Sequence, residues 1–207
     1  MKYNLFFRLF YSLFDKKQHK PILIVFVGDL VLETLHVNYL KWTKKCEMCY
    51  IHTDMGQLPL YQQYEKLNCL YIGNVTKNHC GERDFESGRK YFREAQKAIY
   101  KKIRPERYNK IVLVSTLRYS SACGISTELY VELSKRIENL YFIGIKPLMF
   151  EGMKALNNFE QAINVINPMN DDKLTLIDPN SVPKEMNFMG FITTKIADLV
   201  NMQLKRR

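Results

Sequence analysis

Residues 146–152 read KPLMFEG, and residues 117–127 read LRYSSACGIST. Each stretch follows an apolar, β-branched run, LYFIGI at 140–145 and KIVLVST at 110–116, and each leads into a segment with helical spacing. A buried strand, a turn and a helix together form the repeating unit of a parallel sheet, because parallel neighbours need a crossover between them. In such sheets ligands meet the chain at the turns that follow the strands. The chemistry of these two turns therefore bears on function, and the runs before them bear on the fold.

The same alternation extends in both directions. After the basic DKKQHK at 15–20 and Pro21, ILIVFVG at 22–28 is a continuous apolar run ending in Gly28, as expected of a central strand buried on both faces. DLVLETLHVNYLKWTKK (29–45) reads as a helix with Leu32, Leu35 and Tyr39 on one face. CEMCYIHTD (46–54) reads as a strand ending in the polar trio His52, Thr53 and Asp54. The short strand CLYIG (69–73) and the polar turn NVTKNHCGERD (74–84) lead to a long helix from about Glu86 to Lys102. Ser126 onward, STELYVELSKRIEN (126–139), predicts a helix for which S-x-E is the start signal. EGMKALNNFEQAINVINP (151–168) is a further helix and DKLTLIDPN (172–180) a further strand. VPKEMNFMGFITTKIADLVNMQLKRR (182–207) predicts a closing helix with Pro183 near its start. The predicted fold class is α/β: a Rossmann-like three-layer sandwich with a mainly parallel sheet, right-handed crossovers and any ligand at the C-terminal strand edge.

At 207 residues, with 46% apolar and 25% charged residues, the chain suits one globular domain over residues 21–207, preceded by an extension at 1–20. A net charge of +10 favours anionic surroundings, whether nucleotide, nucleic acid, acidic lipid or an acidic protein, or else a solvated basic surface. The five cysteines, Cys46, Cys49, Cys69, Cys80 and Cys123, suit reduced thiols and a cytoplasmic location. Cys46 and Cys49 have the spacing of half a zinc site, which His79 and Cys80 would complete, but they run straight into a strand, so buried thiols and no metal are expected. In MKYNLFFRLFYSLFDKKQHK, Leu5, Phe6, Leu9, Phe10, Leu13 and Phe14 form one broad helical face flanked by Lys2, Arg8, Lys16 and Lys17. The run is shorter than the roughly 20 residues needed to span a bilayer. Such a helix would lie on an anionic membrane or dock on protein.

The order of these segments resembles the tubulin/FtsZ family, and is closest to its FtsZ branch. YIHTD (50–54) resembles the family's INTD strand end, and ESGRKYFREA (86–95) its helix start EIGRKAAEE. KPLMFEG resembles KPFxFEG, DKLTLIDPNSV (172–182) is similar to DTLIVIPND, and TKIADLV (194–200) to QGISDLI. The resemblance spans about residues 21 to 200 and implies the GTPase-domain type of the fold, binding of GTP or GDP, and filament partners. It covers only the nucleotide-binding half of such a molecule, so the acidic catalytic loop and the second domain are expected to be lacking.

The same resemblance places the departures. Phosphate cradles need glycine, since consecutive N–H groups must converge on the anion with positive φ. Where the family has GGGGSN, this sequence has GDLVLE (28–33), keeping Gly28 and adding Asp29 and Glu33. Where it has GGGTGTG, Tyr119 to Ile125 keep Gly124 alone, with Arg118, Ser120 and Ser121 as remaining donors. CGERDFES replaces GANPEI, with Gly81 and Arg83 in the turn. Glu151 matches the ribose-binding glutamate, Ala155 replaces the arginine after it, and the guanine-reading aspartate falls near Met186 and Asn187. The candidate nucleotide-binding set is therefore Gly28, Asp54, Arg118, Ser120, Ser121, Gly124, Glu151 and Asn187, with no catalytic residue. Three functions follow as alternatives: a degenerate, non-hydrolysing scaffold or modulator of a filament, associated with the membrane through residues 3–14; a working GTP-binding module; or a basic nucleic-acid-binding domain. GTP, GDP and no cofactor at all stay open.

Overall fold

The computed structural model describes residues 22–28, 31–53, 64, 67–72, 84–118, 121–168 and 171–205. The apolar stripe of residues 5–14, Asp29, Asp54, Cys80, Gly81, Arg83 and Ser120 lie outside the described residues. Six strands form one sheet in the order β3-β2-β1-β4-β5-β6. They are β1 (Ile22–Val27), β2 (Cys46–His52), β3 (Leu67–Tyr71), β4 (Lys110–Thr116), β5 (Leu140–Ile145) and β6 (Leu174–Ile177). Every neighbouring pair is parallel. The chain builds outward from β1 to β3, then returns to the other side of β1 and builds outward again. With right-handed crossovers, that reversal puts the helix joining β1 to β2 on one face and the helices joining β3 to β4, β4 to β5 and β5 to β6 on the other.

Helices α2 (Phe85–Ile103), α3 (Ser121–Ser134) and α4 (Met153–Ile166) cover one face, while α1 (Leu32–Trp42) and α5 (Phe188–Lys205) cover the other. Strand β1 shows why the sheet holds both layers: Leu23, Val25 and Val27 enter one core and Ile24 and Phe26 the other, all almost fully buried. Two helix starts differ from the sequence reading. Helix α3 begins at Ser121, five residues before Ser126, so Ser121 to Ile125 are helical and not a loop. The hydroxyls of Ser126 and Thr127 donate to the Cys123 carbonyl within the helix, and so back-bond where a cap was expected. Helix α5 starts at Phe188, and Pro183 stands in the turn before it.

Cys46, Cys49, Cys69 and Cys123 are free thiols. Cys46 and Cys49 are an odd number of residues apart on β2, so their side chains join opposite cores and cannot converge on one ion. Burial pushes the Cys49 thiol up to about 12 and raises Cys123 as well. Both should resist iodoacetamide in mildly alkaline buffer until the protein unfolds. Rapid labelling of the native protein at either position, mapped by peptide mass, would contradict the burial.

Candidate functional site

The reversal of strand order lies between β1 and β4, and an open parallel sheet offers its crevice at the carboxyl ends of those strands. Gly28 ends β1 there. Its φ is +88°, and its N–H donates to the Ile51 carbonyl at 3.1 Å, tying the end of β1 to β2. A β-carbon at Gly28 would stand 2.7 Å from Ala122 Cβ, in the first turn of α3. Positive φ and close approach therefore both require glycine. What it approaches is protein: Ala122, itself buried, lies against the end of β1.

Beside this contact, the Ser121 hydroxyl donates to Thr53 Oγ1 at 3.4 Å, joining the start of α3 to the end of β2. His52, one residue earlier, is buried in the sheet, stacked on Tyr50 at 5.4 Å and edge-on to Tyr71 at 5.6 Å. Thr116, at the end of β4, is 4% exposed, and its Oγ1 has no hydrogen-bond partner among the described residues. Its methyl is the other atom near Gly28, 3.3 Å from the position a β-carbon would take.

Gly124 lies within helix α3. A β-carbon there would stand 2.0 Å from the Phe85 carbonyl oxygen and 2.7 Å from the Arg89 nitrogen, and one on Gly88 would stand 2.1 Å from the Ser121 carbonyl oxygen. Helices α2 and α3 thus cross with their backbones in contact, and the two glycines make room for it. Glu128 seals the crossing, accepting from both Arg89 and Arg93.

The KPLMFEG turn is organised around Glu151. One carboxylate oxygen pairs with Arg118 Nη1 at 2.5 Å, and the other accepts the Leu148 N–H at 2.9 Å. Arg118 and Glu151 are 22% and 13% exposed. Asn180 clamps the same turn from the β6 side, accepting the Met149 N–H at 3.0 Å and donating to the Pro147 carbonyl at 3.2 Å. Lys146 pairs with Asp178 at 3.6 Å, and the Asn180 backbone N–H, ahead of Lys146, holds the Asp178 carboxyl below its usual range. These bonds hold the backbone of the turn, which exposes Met149 and Phe150.

Asn158, on α4, ties these parts together. Its Oδ1 accepts the Phe85 N–H at 3.1 Å, and its Nδ2 donates to the Arg118 carbonyl at 2.9 Å. Asn187 is the cap of α5, with Oδ1 accepting the Gly190 N–H at 2.6 Å. Of the predicted set, Gly28 lies against Ala122 at the β1–β4 crevice, Ser121 bonds Thr53 at the end of β2, Arg118 and Glu151 pair with each other, Gly124 packs between helices, and Asn187 caps its helix. Sequence reasoning passed over Thr116, Ala122, Asn158 and Asn180. Only Asn158 carried a signal, as a polar residue on the buried stripe Ala155, Ala162 and Ile166 of a helix.

No family model matches the sequence, and no curated protein matches it. Solved structures do. The GTPgS-bound protofilament of CetZ2 from Haloferax volcanii superposes with a TM-score of 0.73 at 18% identity, over 89% of this chain and 58% of that one. The empty FtsZ dimer of M. jannaschii gives 0.66 at 17% identity, over 99% and 57%. TubZ of Clostridium botulinum phage c-st gives 0.66 at 17% identity, over 90% and 60%. The chain has the tubulin/FtsZ fold, and it spans under two thirds of the length of each of these structures.

Proposed function

We propose that this chain is a tubulin/FtsZ-like cytoskeletal protein that uses the fold as an interaction platform, for a filament-forming relative or for copies of itself, without hydrolysing nucleotide. One observation carries the reading: groups that would receive a nucleotide are already engaged within the chain. Ala122 closes on Gly28 where a phosphate cradle needs open backbone, and both oxygens of Glu151 are bound, one by Arg118. Admitting a ribose to Glu151 would strip Arg118 of its partner in a largely buried setting, which opposes binding. The filament and protofilament states of structural neighbours support an assembly partner. The apolar stripe of residues 5–14 would attach the platform to a membrane.

Titration calorimetry of the full chain with GTP, GDP and ATP tests the reading. No saturable heat is expected at sub-millimolar ligand. Micromolar or tighter GTP binding would overturn it.

A working GTP-binding module is the second reading, and the Thr116 hydroxyl favours it. A buried hydroxyl without a partner costs about 1–3 kcal/mol, and a ligand oxygen in the β1–β4 crevice would satisfy it. On that reading GTP binding weakens in both Thr116→Val and Glu151→Ala, and phosphate release disappears in the latter.

A further inference from the structure

We propose that the end of the molecule formed by the amino-terminal edges of the strands is a basic docking face for an anionic lipid bilayer, and that it holds the chain with its carboxyl-edge rim pointing away from the lipid. The inference extends the membrane reading of residues 1–20 and rests on it for the apolar anchor.

The topology gathers charge there. All six strands run parallel and four helices return between them, while α5 runs back from β6 to the same edge, where Lys110 donates to the Gln203 carbonyl, so the described helix C-termini and helix-to-strand turns gather at one end. Exposed Lys44 and Lys45 follow α1, exposed Lys101 and Lys102 close α2, and exposed Lys205 closes α5. Arg104 also lies there, at φ 44°, in the left-handed C-cap position that glycine fills without strain. Of the described carboxylates at this end, Glu47 is engaged by Arg107 and Tyr108 and Glu132 by Lys135, and Glu106, Glu138 and Asp172, with Asp171 next to it in sequence, stand against a larger number of bases. Among the described residues of the opposite rim, Arg118 pairs with Glu151 and Lys146 with Asp178.

Helix C-termini attract bases, which accounts for lysines in last turns but not for what joins this face. Residues 1–21 enter at Ile22, whose Cα partners are Cys46 and Lys110 at the same strand edge. Lys16, Lys17 and Lys20 lie close to that junction in sequence, behind the Leu/Phe stripe. A chain that enters the sheet at this edge behind an apolar stripe, and a basic plane at the same edge, complement an anionic membrane surface, where each base near the lipid adds to the attraction.

Vesicle flotation of the full chain tests this, using phosphatidylcholine alone and phosphatidylcholine with about a third phosphatidylglycerol. Binding is expected to the anionic vesicles only. The K44Q/K45Q/K101Q/K102Q variant, checked for native circular dichroism, should partition on the order of a hundredfold more weakly. L9D/F10D should lose binding by removing the anchor. If L9D/F10D loses binding while the four neutralised lysines change nothing, the basic face is refuted and the anchor stands. If the wild-type chain binds neither vesicle, both fall. Preferential, salt-sensitive binding to a DNA duplex over anionic vesicles, lost in the lysine variant, would also overturn the proposal and assign the face to nucleic acid.

Discussion

Gly124→Ala is expected to destabilise the protein by about 3 kcal/mol or more, a large share of the roughly 5–15 kcal/mol that holds a typical domain folded. The new methyl would stand 2.0 Å from the Phe85 carbonyl oxygen and 2.7 Å from the Arg89 nitrogen. Both are backbone atoms of α2, so no side chain can rotate away. The relief available is to separate α2 from α3, which opens the core that Phe92, Ile99, Cys123 and Leu129 share. Urea unfolding should show a much lower midpoint, or the protein should express unfolded. Gly88→Ala attacks the same crossing from the other helix, so the double variant should lose less than the sum of the two singles. An unchanged midpoint for Gly124→Ala would mean that the helices do not cross in backbone contact. The effect reaches function because the same first turns of α3 carry Ser121 and Ala122 to the rim.

Asn158→Leu should cost about 2–5 kcal/mol, since it leaves two backbone groups in a buried setting without their partner. Asn158 is 3% exposed and satisfies the Phe85 N–H and the Arg118 carbonyl at once. Leucine keeps the branching at Cγ but removes both bonds, and its greater bulk adds to the loss in a packed site. Asn158→Asp keeps the acceptor for Phe85 but turns an oxygen toward the Arg118 carbonyl, so an intermediate loss is expected. Chemical denaturation gives the order, wild type above aspartate above leucine. A leucine variant as stable as wild type would show that water reaches these groups and that the clamp is not structural. Because Arg118 carries the partner of Glu151, loosening its backbone should also make the KPLMFEG turn more accessible to limited proteolysis.

Much of the fold was legible from periodicity. The run KIVLVST corresponds residue for residue to β4, and the long helix expected from about Glu86 to Lys102 extends by one residue at each end. Asp84 explains the earlier start, since its side chain accepts the Ser87 N–H at 2.7 Å as a cap. The start of α3 was not legible. SACGIS (121–126) has Ala122 as its one strong helix former, and its helicity comes from burial, where Gly124 is small enough to fit against α2 and Ala122 against the end of β1. The Ser126 signal was misleading because a hydroxyl inside a buried helix can return its proton to its own backbone.

Sequence by itself determined that this chain builds a parallel sheet buried on both faces, and that its rim turns lack the glycines of a phosphate cradle. Both are local properties, one of apolar runs and the other of residues with or without a β-carbon. Only the tertiary structure decided what the surviving rim residues touch: Gly28 meets Ala122, Gly124 meets the backbone of α2, and Glu151 meets Arg118. The members of each pair lie tens of residues apart in the chain, and their meeting follows from strand order and helix crossing, which no single stretch of sequence encodes.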